Sequence, residues 1–143
     1  PDTPDMHFLL LCPKSGVSTA ECYRTYDKLP RTDKAGRTER CLNAFYGMGM
    51  SEAARLFGND LYESATALNP DAGEAVKILK NFSPLGAGMT GSGSAAFALF
   101  ETRELCDWAK SRYRGKFRVY VTDAVYPVAQ KKRYSNPYSI EGE

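Results

Sequence analysis

Gly86-Ala87-Gly88-Met89-Thr90-Gly91-Ser92-Gly93-Ser94, followed at once by Ala95-Ala96-Phe97-Ala98-Leu99-Phe100, holds four glycines and three hydroxyls in nine residues, then an apolar run too short for a helix. Without Cβ atoms a backbone enters positive φ freely and can aim consecutive N–H groups into a concavity, where they bind anionic oxygens such as those of phosphate. The same composition suits a flexible, hairpin-like connection, and the glycines alone leave both readings open. Two phosphate motifs fail on context. Gly86 to Gly91 spells G-x-G-x-x-G, with Glu104 and Asp107 about twenty positions on. That fingerprint must open a crossover helix, however, and Ala95 to Phe100 reads as a strand. A Walker loop requires Lys and then Ser or Thr where this chain has Ser92 and Gly93.

Upstream, Met6 to Cys12 is a compact apolar run stopped by Pro13, which predicts a buried strand. Ser18-Thr19-Ala20-Glu21 has the form of a capping box and predicts a helix over Thr19 to Lys28. A polar, charged stretch from about 29 to 38, with Pro30 and Gly36, predicts a surface loop. Helices are predicted over Glu39 to Tyr46 and Ser51 to Phe57, with Gly58 at the C′ position of the second. Asn59 and Asp60 open a further helix through Leu68. Asn69-Pro70-Asp71 opens the next, which carries to about Asn81. Downstream of the glycine stretch, Thr102 to Tyr113 spaces Leu105, Trp108, Ala109 and Arg112 on one helical face, and Phe117 to Val121 alternates as a strand. A strand, a block of helices, then strands around one further helix suit an α+β domain: an antiparallel, ferredoxin-like sheet with helices packed on one face.

The 143 residues, 43% hydrophobic and 25% charged, are the composition of one globular domain, expected over 1–127 with an irregular basic tail over 128–143. Nineteen Lys and Arg against seventeen Asp and Glu leave a net charge of +2, so no field directs the chain to nucleic acid. Lys131-Lys132-Arg133 reads as solvated surface. Four cysteines at irregular spacing, with no CxxC pair, argue for reduced thiols and a cytoplasmic location. The longest uncharged stretch, Phe82 to Phe100, is broken by Pro84 and its glycines, so no membrane span is expected. The chain begins at Pro1 rather than Met, which points to a processed or excised N-terminus. His7, among apolar neighbours in the first strand, reads as structural.

The run Gly88-Met89-Thr90-Gly91-Ser92-Gly93, with Ala95-Ala96-Phe97-Ala98 after it, resembles the third conserved motif of GHMP-type small-molecule kinases. Gly16-Val17-Ser18-Thr19-Ala20-Glu21-Cys22-Tyr23 is similar to the segment opening that family's C-terminal domain, and Asn59-Asp60-Leu61-Tyr62-Glu63 to its Asn-Asp-Leu-Glu segment. Within the family the likeness is to the branch that uses ATP to phosphorylate the 2-hydroxyl of 4-diphosphocytidyl-2-C-methyl-D-erythritol in isoprenoid precursor synthesis. The resemblance implies a kinase parent that uses ATP and Mg2+. It also implies that Tyr23 stacks on the cytosine of a cytidine-diphosphate-linked substrate and that Thr19 lines the substrate site. Gly88, Thr90, Gly91, Ser92 and Gly93 would form the loop near the phosphates. The family's catalytic Asp and Lys and its Pro-x-x-x-Gly-Leu-Gly-Ser-Ser ATP loop come from an N-terminal domain, and that motif is absent from this sequence. The chain is therefore expected to be a C-terminal, substrate-binding half, inactive by itself, that holds no cofactor tightly and has the missing N-terminal domain as its partner.

From the residues alone, Tyr23 reads as a core aromatic ahead of a ligand platform, and Asn59 and Asp60 read as a helix start first. Two rivals compete with the kinase reading. One is a non-catalytic, ferredoxin-like regulatory module that binds a small ligand. The other is an RNA-binding sheet using Phe97, Phe100, Phe117 and Tyr120, against which the Lys/Arg-Gly-Phe/Tyr-Gly/Ala-Phe-Val pattern is absent. The kinase reading requires the glycine turn to face the Tyr23 helix with amides not already paired.

Overall fold

The computed structural model describes residues 5–30 and 35–125; the 128–143 tail, with Lys131-Lys132-Arg133, and part of the 29–38 segment lie outside the described residues. The elements are β1 (His7–Cys12), α1 (Thr19–Lys28), α2 (Arg37–Gly47), α3 (Met50–Arg55), α4 (Tyr62–Leu68), α5 (Pro70–Lys80), β2 (Gly86–Met89), β3 (Ala96–Phe100), α6 (Arg103–Arg112) and β4 (Arg118–Asp123). The four strands form one antiparallel sheet in the order β2-β3-β1-β4. This is the expected α+β plan.

Local chemistry starts the helices. Ser18 Oγ accepts from the Glu21 amide (3.4 Å), Asn69 Oδ1 from the Asp71 amide (3.1 Å) and Thr102 Oγ1 from the Leu105 amide (3.2 Å), each filling an orphan donor of a first turn. Alternation then sorts the sheet. Leu9, Leu11, Ala96, Ala98 and Phe100 point to one face and are buried there with Ala72, Ala75, Val76 and Leu79 of α5 and Cys106 and Ala109 of α6. The alanines on both sides let α5 lie close to β3. Each fully buried leucine contributes about 1.5–3 kcal/mol. Cys22 and Cys106 belong to this core as neutral packing groups, and burial raises both thiols, that of Cys106 to about 11.

Several elements differ from the sequence reading. Gly86 to Met89 is not loop but strand β2, in register with β3 from Gly86↔Leu99 to Met89↔Ala96. Ala87 and Met89 alternate with glycines and pack on the core face, but two small-to-medium side chains among glycines are a weak periodic signal; pairing with β3 makes the strand. Helix α2 begins at Arg37, inside the stretch read as loop, after Gly36 turns the chain at φ +76°. Gly58 does not close α3, which ends at Arg55 with Leu56 as its C-cap; a Cβ on Gly58 would lie 2.5 Å from Arg37 Nη1 of the guanidinium that lies over it. On α6 the buried positions are Cys106 and Ala109, while Leu105 and Trp108 stay 43% and 47% exposed. The small side chains permit the closer approach, and Trp108 instead packs edge-on against Phe82 (6.1 Å).

One helix, α3, lies against the sheet apart from the layer on the principal face. Gly86 and Leu99 are paired and so share the opposite face. There a Cβ on Gly86 would sit 2.3 Å from the Ala54 carbonyl of α3, and Phe57 meets Phe97 at 5.7 Å. Gly86 thus sets the distance between α3 and the sheet, and the obstructing atom is backbone. Gly86→Ala is expected to lower the unfolding free energy by about 1–3 kcal/mol, read as a reduced urea midpoint.

At the far end of the sheet His7 is structural, as expected. Its Nδ1 donates to Asp123 Oδ1 (2.7 Å), and Arg103 Nη1 donates to Asp123 Oδ2 (2.8 Å). The hydrogen bond from His7, then the Arg103 charge, holds the Asp123 carboxyl below its ordinary 3.8. A depressed carboxyl stabilises the fold above its unfolded pKa and loses that contribution as pH falls through the folded one. The melting-temperature gap between the parent chain and Asp123→Asn at pH 7 is therefore expected to close as pH is taken below 3.8.

Candidate functional site

The β2–β3 connection, residues 90–95, is a tight turn. Thr90 N donates to Ala95 O (2.9 Å) and Gly93 N to Thr90 O (3.0 Å). Gly91 and Gly93 take positive φ, +51° and +91°. At Gly93 a side chain is doubly excluded, because its Cβ would lie 2.9 Å from Met89 Sδ and 3.4 Å from both Ala65 and Val17.

Polar side chains tie this turn to its neighbours. Asn59 Nδ2 donates to Gly91 O (2.7 Å) and Met89 O (3.0 Å), while its Oδ1 accepts from Leu61 N (2.9 Å) just ahead of α4. Ser94, buried at 6%, donates to Ser15 O (2.6 Å). Asn69 Nδ2 donates to Ser15 O and Ser15 Oγ, both at 3.1 Å, and to Gly16 O at 3.4 Å. The β1–α1 loop, the start of α5 and the glycine turn are thus one hydrogen-bonded unit, and α1 leaves it beside the turn. Thr19 Oγ1 lies 2.9 Å from Ser92 Oγ.

The sequence-expected residues divide accordingly. Thr19 meets the turn directly, and Tyr23, one helical turn later on the same face, is 54% exposed. Tyr23 is therefore not a core residue, and its ring is free for a flat partner. Thr90, Gly91, Ser92 and Gly93 form the turn, but Gly88 does not: it lies within β2. Asn59 starts the chain into α4 through the Leu61 amide rather than at the N-cap, which is Leu61. Asp60 accepts from Arg37 Nη1 (3.1 Å). Sequence reasoning missed Ser15, Ser94 and Asn69 as members of the unit, since their contacts join positions 53 to 79 apart.

Chemically, the turn offers a partial cradle. The Thr90 and Gly93 amides are spent inside it, whereas among the described residues those of Gly91 and Ser92 donate to no protein acceptor. Two free amides, with the one hydroxyl proton that the Thr19–Ser92 bond leaves unspent, form a donor set for phosphate oxygens. The turn contains no carboxylate to ligate Mg2+.

Residues 47–115 match the family model described as GHMP kinases C terminal. The chain carries a GHMP kinase C-terminal domain. It is 34% identical over 128 residues to the 4-diphosphocytidyl-2-C-methyl-D-erythritol kinase of Desulfitobacterium hafniense (strain Y51), an alignment covering 85% of this chain and 42% of that protein. The same-named kinase of Carboxydothermus hydrogenoformans is 34% identical over 95 residues, 66% of this chain and 33% of its own. Among solved structures, a 4-(cytidine 5'-diphospho)-2C-methyl-D-erythritol kinase superposes with a TM-score of 0.63 at 25% identity, covering 84% of this chain and 43% of that one. A homoserine kinase from Cytophaga hutchinsonii shares the fold at a TM-score of 0.57 and 17% identity, covering 82% of this chain and 41% of that one. The GHMP kinase C-terminal chain thus spans about two fifths of the length of the first of these curated relatives.

In this GHMP kinase domain Asn59 uses its two functional ends differently, and substitution separates them. Asn59→Asp keeps an acceptor for the Leu61 amide but loses both donors and sets a carboxylate against two carbonyls. Amide exchange at Thr90 and Gly93, the turn's two hydrogen-bonded amides, is expected to accelerate about tenfold, the equivalent of one hydrogen bond's net worth, while α4 amides keep their protection.

Proposed function

We propose that this domain forms one wall of the substrate cleft of an ATP-dependent kinase that phosphorylates the 2-hydroxyl of 4-diphosphocytidyl-2-C-methyl-D-erythritol. The observation that carries the reading is the Thr19–Ser92 contact, which sets a turn with two free amides against the helix that displays Tyr23. The names of the relatives that align along most of the chain support the same substrate.

The residues divide the ligand by its chemistry. The Tyr23 ring is a stacking platform for cytosine, a contact worth about 1–3 kcal/mol for a base on an aromatic. The Gly91 and Ser92 amides, with the hydroxyl proton that the Thr19–Ser92 bond leaves unspent, take diphosphate oxygens without introducing a charge that must be desolvated. Gly93, packed against Met89, Ala65 and Val17, and Asn59 hold the turn rigid, so the phosphate is positioned rather than followed by a mobile loop. ATP with Mg2+, the catalytic Asp and Lys and the Gly-Leu-Gly-Ser-Ser loop belong in this proposal to an N-terminal domain of the parent, in the cytoplasm. Such a domain supplies the phosphoryl donor and metal, and the present domain binds and orients the acceptor.

Calorimetric titration with cytidine diphosphate tests the substrate side. Binding by the 143-residue chain is expected to weaken about tenfold on Tyr23→Ala, with ATP hydrolysis absent in the presence of the cytidine substrate. Unchanged binding in Tyr23→Ala, or turnover by the chain alone, would overturn the proposal.

A further inference from the structure

Beside the outer edge of β2 lies a cleft of about 200 Å³ that the kinase reading leaves unused. Its inner wall is apolar: Val76 of α5 and Met89 of β2, each 3% exposed, with Phe57 and Tyr62 beside them. Two cations, Arg37 and Lys80, line the same cleft.

On the cationic side, the Arg37 guanidinium lies over Gly58, where a Cβ would come within 2.5 Å of Nη1. Asp60 engages Nη1 at 3.1 Å, and among the described residues the remaining guanidinium N–H groups have no acceptor. Lys80, in the last turn of α5, has none among the described residues either. An arginine fork and an ammonium beside an apolar wall call for a compact dianion on a short hydrocarbon body. The volume equals roughly seven water molecules at about 30 Å³ each, enough for a phosphate and a short alkyl chain but small for a nucleotide.

We propose that this cleft is a second ligand site, for a short-chain alkyl phosphate, and that the glycine turn senses its occupancy through Asn59. Asn59 lines the cleft and also holds the Met89 and Gly91 carbonyls. A ligand seated between Arg37 and Lys80 therefore abuts the side chain that fixes the turn. The site is separate from the Thr19–Ser92 face, and its existence does not depend on the kinase reading.

The test is a nitrogen-15 heteronuclear NMR titration of the 143-residue chain with butyl phosphate, with butanol, butyrate and inorganic phosphate as comparison arms. Expected are saturable shifts at Tyr62, Lys80, Gly88 and Met89, with transmitted shifts at Gly91 and Gly93. The comparison ligands should bind about tenfold or more weakly. Lys80→Met, at an exposed position that leaves the core intact, is expected to weaken butyl phosphate about fivefold or more. Arg37→Gln should weaken it likewise, and its unperturbed α4 resonances would show the fold retained. Shifts that stay linear to about 10 mM (a Kd beyond any specific site of this size), saturation centred on Thr19 and Ser92, or affinity indifferent to Lys80→Met would each overturn the proposal. Cytidine diphosphate added to the same sample reports on the kinase reading separately, through Tyr23 and Ser92.

Discussion

The site depends on one carboxamide. Asn59 joins three pieces of chain that have no covalent reason to meet: the start of α4, the end of β2 and the middle of the glycine turn. Each of its hydrogen bonds is worth only about 0.5–1.5 kcal/mol net. Their importance lies in what they order. A turn with two positive-φ glycines has wide freedom in isolation, and fixing a residue's backbone costs about 1–2 kcal/mol. Asn59 from one side, with Gly93 wedged against Met89, Ala65 and Val17 from the other, offsets that cost in the fold before any ligand arrives.

That arrangement requires the sheet and helices to be closely spaced, and small residues set the spacing. Ala96 and Ala98 face Ala72 and Ala75 across the β3–α5 interface, and Gly86 admits the Ala54 carbonyl on the opposite face. Larger side chains at these positions would separate the layers and pull Ala65 and Val17 away from Gly93. The compactness of the core and the rigidity of the turn are thus the same property seen at two places.

The sequence made the strands of large residues and the capped helices legible because their causes are local. Ser18 and Asn69 announce helix starts within a few residues, and Phe8 to Leu11 can hardly be anything but buried strand. What escaped has non-local causes. Strand β2 exists because β3 pairs with it, and the alternation of Ala87 and Met89 with two glycines is too short to reveal this. Gly58 looked like a helix terminator because glycine commonly is one; here it lies under an arginine that arrives from 21 residues earlier. Thr19, Tyr23 and the turn were legible through family likeness. The Ser15–Ser94–Asn69 contacts that bring them together were not, since no spacing rule relates positions so far apart.

In the proposed cleft, the donors at the turn would bind an anion with little charge nearby. Thr19, Ser92 and the Gly91 and Ser92 amides present dipoles to an anion, and none of them titrates near neutral pH. A lysine in the same place would bind free phosphate in water about as readily as a phosphate carried on a substrate, because a flexible point charge has little geometric preference. Fixed amides respond steeply to distance and angle, so affinity for the phosphate becomes conditional on where the rest of the ligand sits. In the proposed cleft, Tyr23 on the adjacent helix face would set the position of a base, and the Thr19–Ser92 contact would couple recognition of the two ends.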